Sequence, residues 1–273
     1  MSVATQTFRA RYGPSALILG GSEGIGRAFA AQLAARGLDL LLIARRSEAL
    51  QQAAAELQAA HGVRVSTLAL DLSAGGAGAR ARELTAAHEI GLLICNAGAT
   101  HGAGQFLDEP LEQALALAQL NCLTTLGFAH AALGAMRARG RGGMIAMSSM
   151  SGLGGSGYIA AYAAAKSFLM TLCEGLHAEL APAGVDVLCA VAGLTDTPAM
   201  RRSGLSFSAA AAAGFAAMDA AAVARGALEQ LGRAALWYAP GDAAAQALRA
   251  LPRAVVTESM TQAAAALYNL PRR

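Results

Sequence analysis

At 273 residues and 27.5 kDa, with a net charge of +3 and scattered arginines, the chain is long enough for one large α/β domain and too evenly charged to suit a nucleic-acid backbone. The 55% apolar content comes largely from alanine, and charges or turn residues interrupt every span before about 18 strongly apolar residues accumulate, so no membrane helix is expected. Cys95, Cys122, Cys173 and Cys189 lack CxxC spacing and the histidines form no ligand motif, which points to buried free thiols in a reducing, cytoplasmic compartment and to no metal site.

Residues 1–14 carry Arg9 and Arg11 but no apolar stretch after them, so they lack the order of a secretory signal. They read as a short flexible arm ahead of a single domain over 15–273. From there, short apolar runs alternate with longer helical patterns. The first run, 16–19, leads into Gly20, Gly21, Ser22, Glu23, Gly24, Ile25 and Gly26, then an amphipathic helix to Arg36. Between strand and helix, Gly20 suits a tight turn, Gly24 a close approach of backbone to a pyrophosphate, and Gly26 close helix packing. The helix N-terminus adds N–H donors and a positive dipole. Residues 20–24 also spell Gly-x-Ser-x-Gly, a nucleophile elbow that would make Ser22 the centre of a hydrolase. That reading needs a later histidine in a loop after a strand, and the last histidine, His177, falls inside a predicted helix.

The second run, 38–44, ends in Arg45 and Arg46, where arginine favours the 2′-phosphate of NADP over the 2′-hydroxyl of NAD. The third, 63–70, precedes Asp71 and Leu72, and the fourth, 90–95, precedes Asn96, Ala97 and Gly98. A long helical pattern over 111–136 contains Asn121 and closes on Arg137, Arg139 and Arg141, cations that complement the helix dipole. The fifth run, 144–147, is followed by Ser148 and Ser149.

A helix over 158–181 carries Tyr162 and Lys166, four residues apart and therefore on one face. Lys166 is the only lysine among 21 basic residues. A chain that uses arginine everywhere else keeps lysine where a compact ammonium is required. Beside Tyr162 such a cation would favour phenolate and pull the phenol down from its ordinary pKa of about 10, giving a proton donor and acceptor near neutrality. The sixth run, 185–191, leads to Gly193, Thr195 and Thr197. Residues 195–218, with Arg201 and Arg202, break the rhythm and read as a mobile lid. The seventh run is 235–238. Seven such runs predict a seven-stranded parallel sheet with helices on both faces, a doubly wound Rossmann-type α/β fold.

On these residues the chain resembles the short-chain dehydrogenase/reductase family over roughly 16–198. The family's glycine motif falls on Gly20, Gly24 and Gly26, its adenine-contacting aspartate on Asp71 with Leu72 beside it, and its Asn-Ala-Gly turn on Asn96, Ala97 and Gly98. Its catalytic asparagine, serine, tyrosine and lysine match Asn121, Ser149, Tyr162 and Lys166. The resemblance implies that Ser22, Glu23 and Ile25 join the nucleotide loop and that Gly193, Thr195 and Thr197 lie by the nicotinamide. Leu19, Cys95 and Ala192 depart from the family pattern without removing a catalytic group. Glu23 is more awkward: NADP-preferring relatives often carry a basic residue there, and a carboxylate would repel a 2′-phosphate, so NAD stays possible.

The implied activity is NADP-dependent oxidoreduction, with hydride passing between the nicotinamide and a neutral, fairly hydrophobic ketone or secondary alcohol (3-oxoacyl, steroid-like, terpenoid or aromatic). Residues 150–157, 101–106 and the lid would form the walls, and Arg201 and Arg202 could steer an anionic carrier. A homodimer or homotetramer packed through the helices over 111–136 and 158–180 is implied as well. The alternative outside catalysis is a dinucleotide sensor or scaffold, which would need the nucleotide loop but not Asn121, Ser149, Tyr162 and Lys166.

Overall fold

Apolar runs bounded by glycines and charges become strands β1 (Ser15–Leu19), β2 (Asp39–Ala44), β3 (Val65–Ala69), β4 (Ile90–Cys95), β5 (Gly142–Ser149) and β6 (Val185–Ala192) in the computed structural model, which describes residues 3–98, 100 and 102–270. Two-residue strands β7 (Thr195–Asp196) and β8 (Met218–Asp219) pair with each other, and β9 (Leu236–Tyr238) returns to the main sheet. The main sheet has seven strands in the order β3-β2-β1-β4-β5-β6-β9, every neighbouring pair parallel. The order reverses between β1 and β4, and that crevice at the carboxyl ends is where an open α/β sheet takes a ligand.

The helices are α1 (Val3–Tyr12), α2 (Gly24–Ala35), α3 (Ser47–His61), α4 (Ala77–Ala87), α5 (Leu111–Ala118), α6 (Thr124–Arg139), α7 (Ala160–Leu180), α8 (Pro198–Arg202), α9 (Phe207–Ala212), α10 (Ala220–Gln230), α11 (Asp242–Arg249) and α12 (Arg253–Leu267). Side chains alternate across each strand, so each run feeds two cores. Leu17, Leu19, Ile43, Leu93 and Cys95 join Phe128 of α6 and Leu169 of α7 on one face. Ile18, Leu42, Leu92 and Ile94 join Phe29 of α2, Leu50 of α3 and Val223 of α10 on the other. The edge strand β3 departs from the expectation of burial on both faces, because Ser66, Thr67 and Ala69 are exposed.

Residues 1–14 were expected to be a flexible arm, and for the described residues 3–14 the structure corrects this: α1 packs against β4 and β5. Tyr12 is 5% exposed and donates its hydroxyl to Asp186 Oδ2 at 2.6 Å, while Arg11 clasps the same carboxylate through Nε (2.6 Å) and Nη2 (2.7 Å). A methyl group at Gly91 would lie 2.3 Å from the Gly13 carbonyl oxygen, so α1 also fits tightly against β4. The helix expected over 111–136 is interrupted by a π-turn, Gln119–Leu123, between α5 and α6. Among the described residues no helix is long and apolar enough to cross a membrane.

Candidate active site

The nucleotide loop is shaped by contacts that glycine alone permits. Gly20 has φ +81 and donates its N–H to Ile43 O at 2.7 Å, turning the chain sharply off β1. A Cβ at Gly26 would sit 1.9 Å from Gly20 O, so the helix N-terminus is drawn onto the turn. Asn96, just past β4, donates Nδ2 to Gly20 O at 3.0 Å, and a methyl at Gly20 would meet the Ala97 backbone at 3.0 Å. Gly20, Gly26, Asn96 and Ala97 thus form one packed corner, with Ser22, Glu23, Gly24 and Ile25 leading into α2. Residues 20–24 make no hydrolase centre with His177, whose ring bonds the Val187 carbonyl at 3.1 Å, inside β6.

At the neighbouring strand ends, Arg45 and Arg46 are exposed after β2. Arg46 is ion-paired to Glu23, which also binds Arg202 at the end of α8. Burial works to raise the Glu23 carboxyl, but Arg202 and then Arg46 outweigh it and hold it below its ordinary value. Asp71, exposed after β3, accepts from Ser73 Oγ (2.6 Å) and Ser73 N (2.9 Å). These bonds and the charge of Arg45 lower its pKa. Leu72 is buried, and its carbonyl accepts from Thr124 Oγ1 at 2.7 Å. On the far side, Gly193 packs against Pro240, Thr195 Oγ1 donates to Gly193 O at 3.1 Å, and Thr197 Oγ1 caps α8 by accepting from Met200 N at 3.2 Å. A cleared glycine turn, a helix N-terminus and this rim of polar groups fit a dinucleotide.

The chemistry-bearing cluster lies one step deeper. Ser148 and Ser149 point to opposite sides of β5. Ser148 donates to the Lys166 carbonyl at 2.7 Å, whereas Ser149 Oγ accepts from Ser151 N at 3.2 Å and is near enough to Tyr162 to pull its pKa down. Lys166 is 6% exposed, its Nζ donates to Met147 O at 3.0 Å, and it stands 5.5 Å from the centre of the Tyr162 ring. A methyl at Gly98 would lie 2.6 Å from Asn121 Oδ1 and 3.0 Å from Lys166 Nζ, so Gly98, Asn121 and Lys166 converge on one point. Asn121 is fully buried in the π-turn, with Nδ2 donating to Leu117 O at 3.0 Å. Such one-turn bulges recur at functional sites because they re-aim a side chain that a regular helix would point elsewhere.

Electrostatics depart from the sequence expectation. Burial pushes Tyr162 up to about 12; the Ser149 hydrogen bond opposes this and Tyr268 reinforces it. Burial also lowers Lys166 to about 8. Desolvation is thus the larger influence, and Tyr162 is a firmly protonated phenol at neutral pH.

Tyr162 opens onto a cavity of about 280 Å³ lined by Phe106, Leu107, Leu111, Ala114, Leu117, Tyr158 and Ile159, with Glu109 the one charged group among the described lining residues. Of the expected wall 101–106, His101 lies outside the described residues. Residues 150–157 are largely roofed by α12: methyl groups at Gly154 and Gly157 would meet Val256 and Thr261, and Gly157 N donates to Thr261 Oγ1 at 2.8 Å. Two tyrosines escaped the sequence reading. Tyr158, just ahead of α7, has φ +64, a conformation uncommon for a bulky residue. Tyr268, just after α12, puts its hydroxyl 3.5 Å from Thr100 Oγ1. The positive φ leaves no trace in sequence, and Tyr268 stands in no motif. Arg201 and Arg202 do not face the cavity; they pair with Asp196 and Glu23.

Comparison with known proteins agrees with this geometry. The short chain dehydrogenase family model matches residues 14–205. A 7beta-hydroxysteroid dehydrogenase of Clostridium sardiniense is 34% identical over 226 residues, 83% of this chain and 85% of that enzyme. A solved 7beta-hydroxysteroid dehydrogenase superposes with a TM-score of 0.84 at 28% identity, covering 93% of this chain and 98% of the other. A short-chain dehydrogenase from Sphingobium yanoikuyae, solved with NADPH, gives 0.76 at 29% identity, covering 88% and 97%.

Proposed function

The chain belongs to the short-chain dehydrogenase family of NAD(P)-dependent oxidoreductases, and from that premise we propose that it reduces a bulky, neutral, polycyclic ketone of steroid size with NADPH, or oxidises the matching secondary alcohol. The observation that carries this reading is Tyr162, with Ser149 as its neighbour, on the wall of an apolar cavity with no lysine or arginine among its described lining residues. Such a lining offers nothing to clamp a carboxylate or phosphate and favours a neutral substrate. The similarity to 7beta-hydroxysteroid dehydrogenases supports the size class.

A bound reduced nicotinamide supplies the hydride to the carbonyl carbon. Tyr162 gives its proton to the carbonyl oxygen, and Ser149 holds that oxygen by a hydrogen bond as charge develops on it. Lys166 would hold the ribose hydroxyls next to the nicotinamide, and its ammonium there would make the phenol more acidic. Asn121 holds a water that returns a proton to Tyr162 from solvent. Gly193, Thr195 and Thr197 would border the nicotinamide; Ser22, Gly24 and Ile25 the pyrophosphate; Asp71 and Leu72 the adenine. Arg45 and Arg46 would receive the 2′-phosphate of NADP. The segment 195–218 would close over the bound pair, in a single domain that takes in α1.

Leu115, Leu123 and Leu126, exposed along α5, the π-turn and α6, suit a homodimer or homotetramer face. Cys95, Cys173 and Cys189, buried as free thiols, and the half-buried Cys122 suit the cytoplasm. The test is NADPH oxidation against bulky cyclic ketones, including hydroxysteroid precursors. Turnover that disappears in Tyr162→Phe supports the assignment. Tight dinucleotide binding with no turnover across the panel would replace it with the sensor reading.

A further inference from the structure

Glu23 is the one acidic residue in the nucleotide loop, and it stands where a 2′-phosphate would arrive. Its carboxylate is divided between two arginines from different parts of the chain. One oxygen faces Arg46 at the end of β2; Arg202 reaches both, with Nη2 on Oε1 and Nη1 3.3 Å from Oε2. Glu23 is the N-cap residue of α2, yet its side chain makes no capping hydrogen bond and is turned to the arginines instead. The segment bearing Arg202 approaches the loop a second time: a methyl at Gly24 would lie 3.1 Å from the Thr197 side chain. Its neighbour Arg201 is committed within the segment, bidentate to Asp196 at 2.8 and 2.5 Å and over the Phe207 ring. Arg202 alone of the two reaches across.

We propose that Arg202 is a specificity-determining residue for the dinucleotide, acting through Glu23: it takes up the Glu23 carboxylate so that Arg46 is released to a 2′-phosphate. This rests on the NADP reading above. With Arg202 present, the three groups carry a net charge of +1, and Arg46 exchanges one anionic partner for another when the phosphate arrives. Without it, Glu23 keeps Arg46 to itself and faces the phosphate as an unshielded like charge. The loop acid, which alone would argue for NAD, is thus made compatible with NADP by a residue about 180 positions later in the chain. The adenosine 2′-hydroxyl of NAD carries no charge and is indifferent to the exchange.

The experiment is calorimetric binding of NADP⁺ and NAD⁺ to the cofactor-free protein in low and high salt. Arg202→Gln is expected to weaken NADP⁺ by about fivefold, the scale of one partly exposed charge pair, and to leave NAD⁺ nearly unchanged. Glu23→Gln is expected to strengthen NADP⁺ binding, and Glu23→Gln combined with Arg202→Gln to restore it. The Arg202→Gln effect should shrink at 1 M salt, where screening extends to about 3 Å. Wild-type protein that binds NAD⁺ as tightly as NADP⁺ overturns the NADP reading and the role of Arg202 with it. Wild-type preference for NADP⁺ combined with parallel losses for both dinucleotides in Arg202→Gln, or with no rescue by Glu23→Gln, overturns the role of Arg202 alone.

Discussion

The Lys166 ammonium stands 5.5 Å from the centre of the Tyr162 ring and donates its hydrogen bond to the Met147 carbonyl. The two side chains share a helix face and a buried site, yet the ammonium's hydrogen bond goes to β5. The acidifying effect expected from a Tyr-x-x-x-Lys pair gives way to burial, which raises Tyr162.

Replacing Lys166 by arginine tests why one lysine persists among arginines. The site around Nζ is bounded by Gly98, Asn121 and Met147, and a planar guanidinium is broader than the compact ammonium they surround. Lys166→Arg is expected to lower kcat/KM by about a hundredfold or more, the scale of losing a general acid's partner. Circular dichroism and Tm distinguish this from simple unfolding.

Different pH trends are expected for the two directions. Burial raises Tyr162 to about 12, so its proton is present throughout the neutral range, and ketone reduction should change little between about pH 6 and about pH 8. Alcohol oxidation needs the phenolate, whose fraction grows as pH rises toward that value, so its kcat/KM should climb with pH. Lys166, lowered to about 8, loses its charge above that pH, and dinucleotide affinity should fall there. Initial rates in both directions and binding isotherms across pH check all three; an oxidation rate that peaks in acid would contradict the Tyr162 assignment.

Asp186 ties α1 to β6 through the hydroxyl of Tyr12 and the guanidinium of Arg11. Asp186→Ala leaves a buried phenol without its acceptor, at a cost of about 2 kcal/mol, which for a chain of this length lowers Tm by roughly 4–8 °C. Thermal melts read the loss, and specific activity of the folded fraction should be unchanged, since the site lies at the opposite ends of the strands.

Cavity size can be separated from chemistry at Ala114, on the wall of α5 that faces Tyr158 and Tyr162. Ala114→Trp is expected to lower kcat/KM for bulky ketones by about tenfold or more while a small cyclic ketone and NADPH binding are spared. Equal losses on large and small ketones would place the substrate elsewhere.

What could be read from sequence divides along physical lines. Strands buried on both faces must be apolar almost throughout, so the runs at 90–95 and 185–191 located β4 and β6 to within a residue. The glycine turn and the Tyr162 helix were equally legible, because a Cβ is excluded at Gly26 and a helix sets Tyr162 and Lys166 on one face. Helix α1 was not, since its anchor is Asp186, some 174 residues away, and its own stretch is polar. The π-turn at Asn121 adds a residue to a helical pattern without changing its composition. The pKa of Tyr162 was misjudged in direction because burial, the larger influence, depends on what packs over the phenol and not on its neighbour four residues on.

Helix α12 and Tyr268 lie beyond residue 205, past the stretch that the family pattern covers, yet they roof the 154–157 loop and reach Thr100 beside the reacting groups. The C-terminal helix thus braces the loop that leads into Tyr162, while the described residues that line the cavity all belong to the earlier stretch between Thr100 and Tyr162. Damage to the tail should be felt first as a loosened hinge behind the phenol, before any change in the shape of the hollow in front of it.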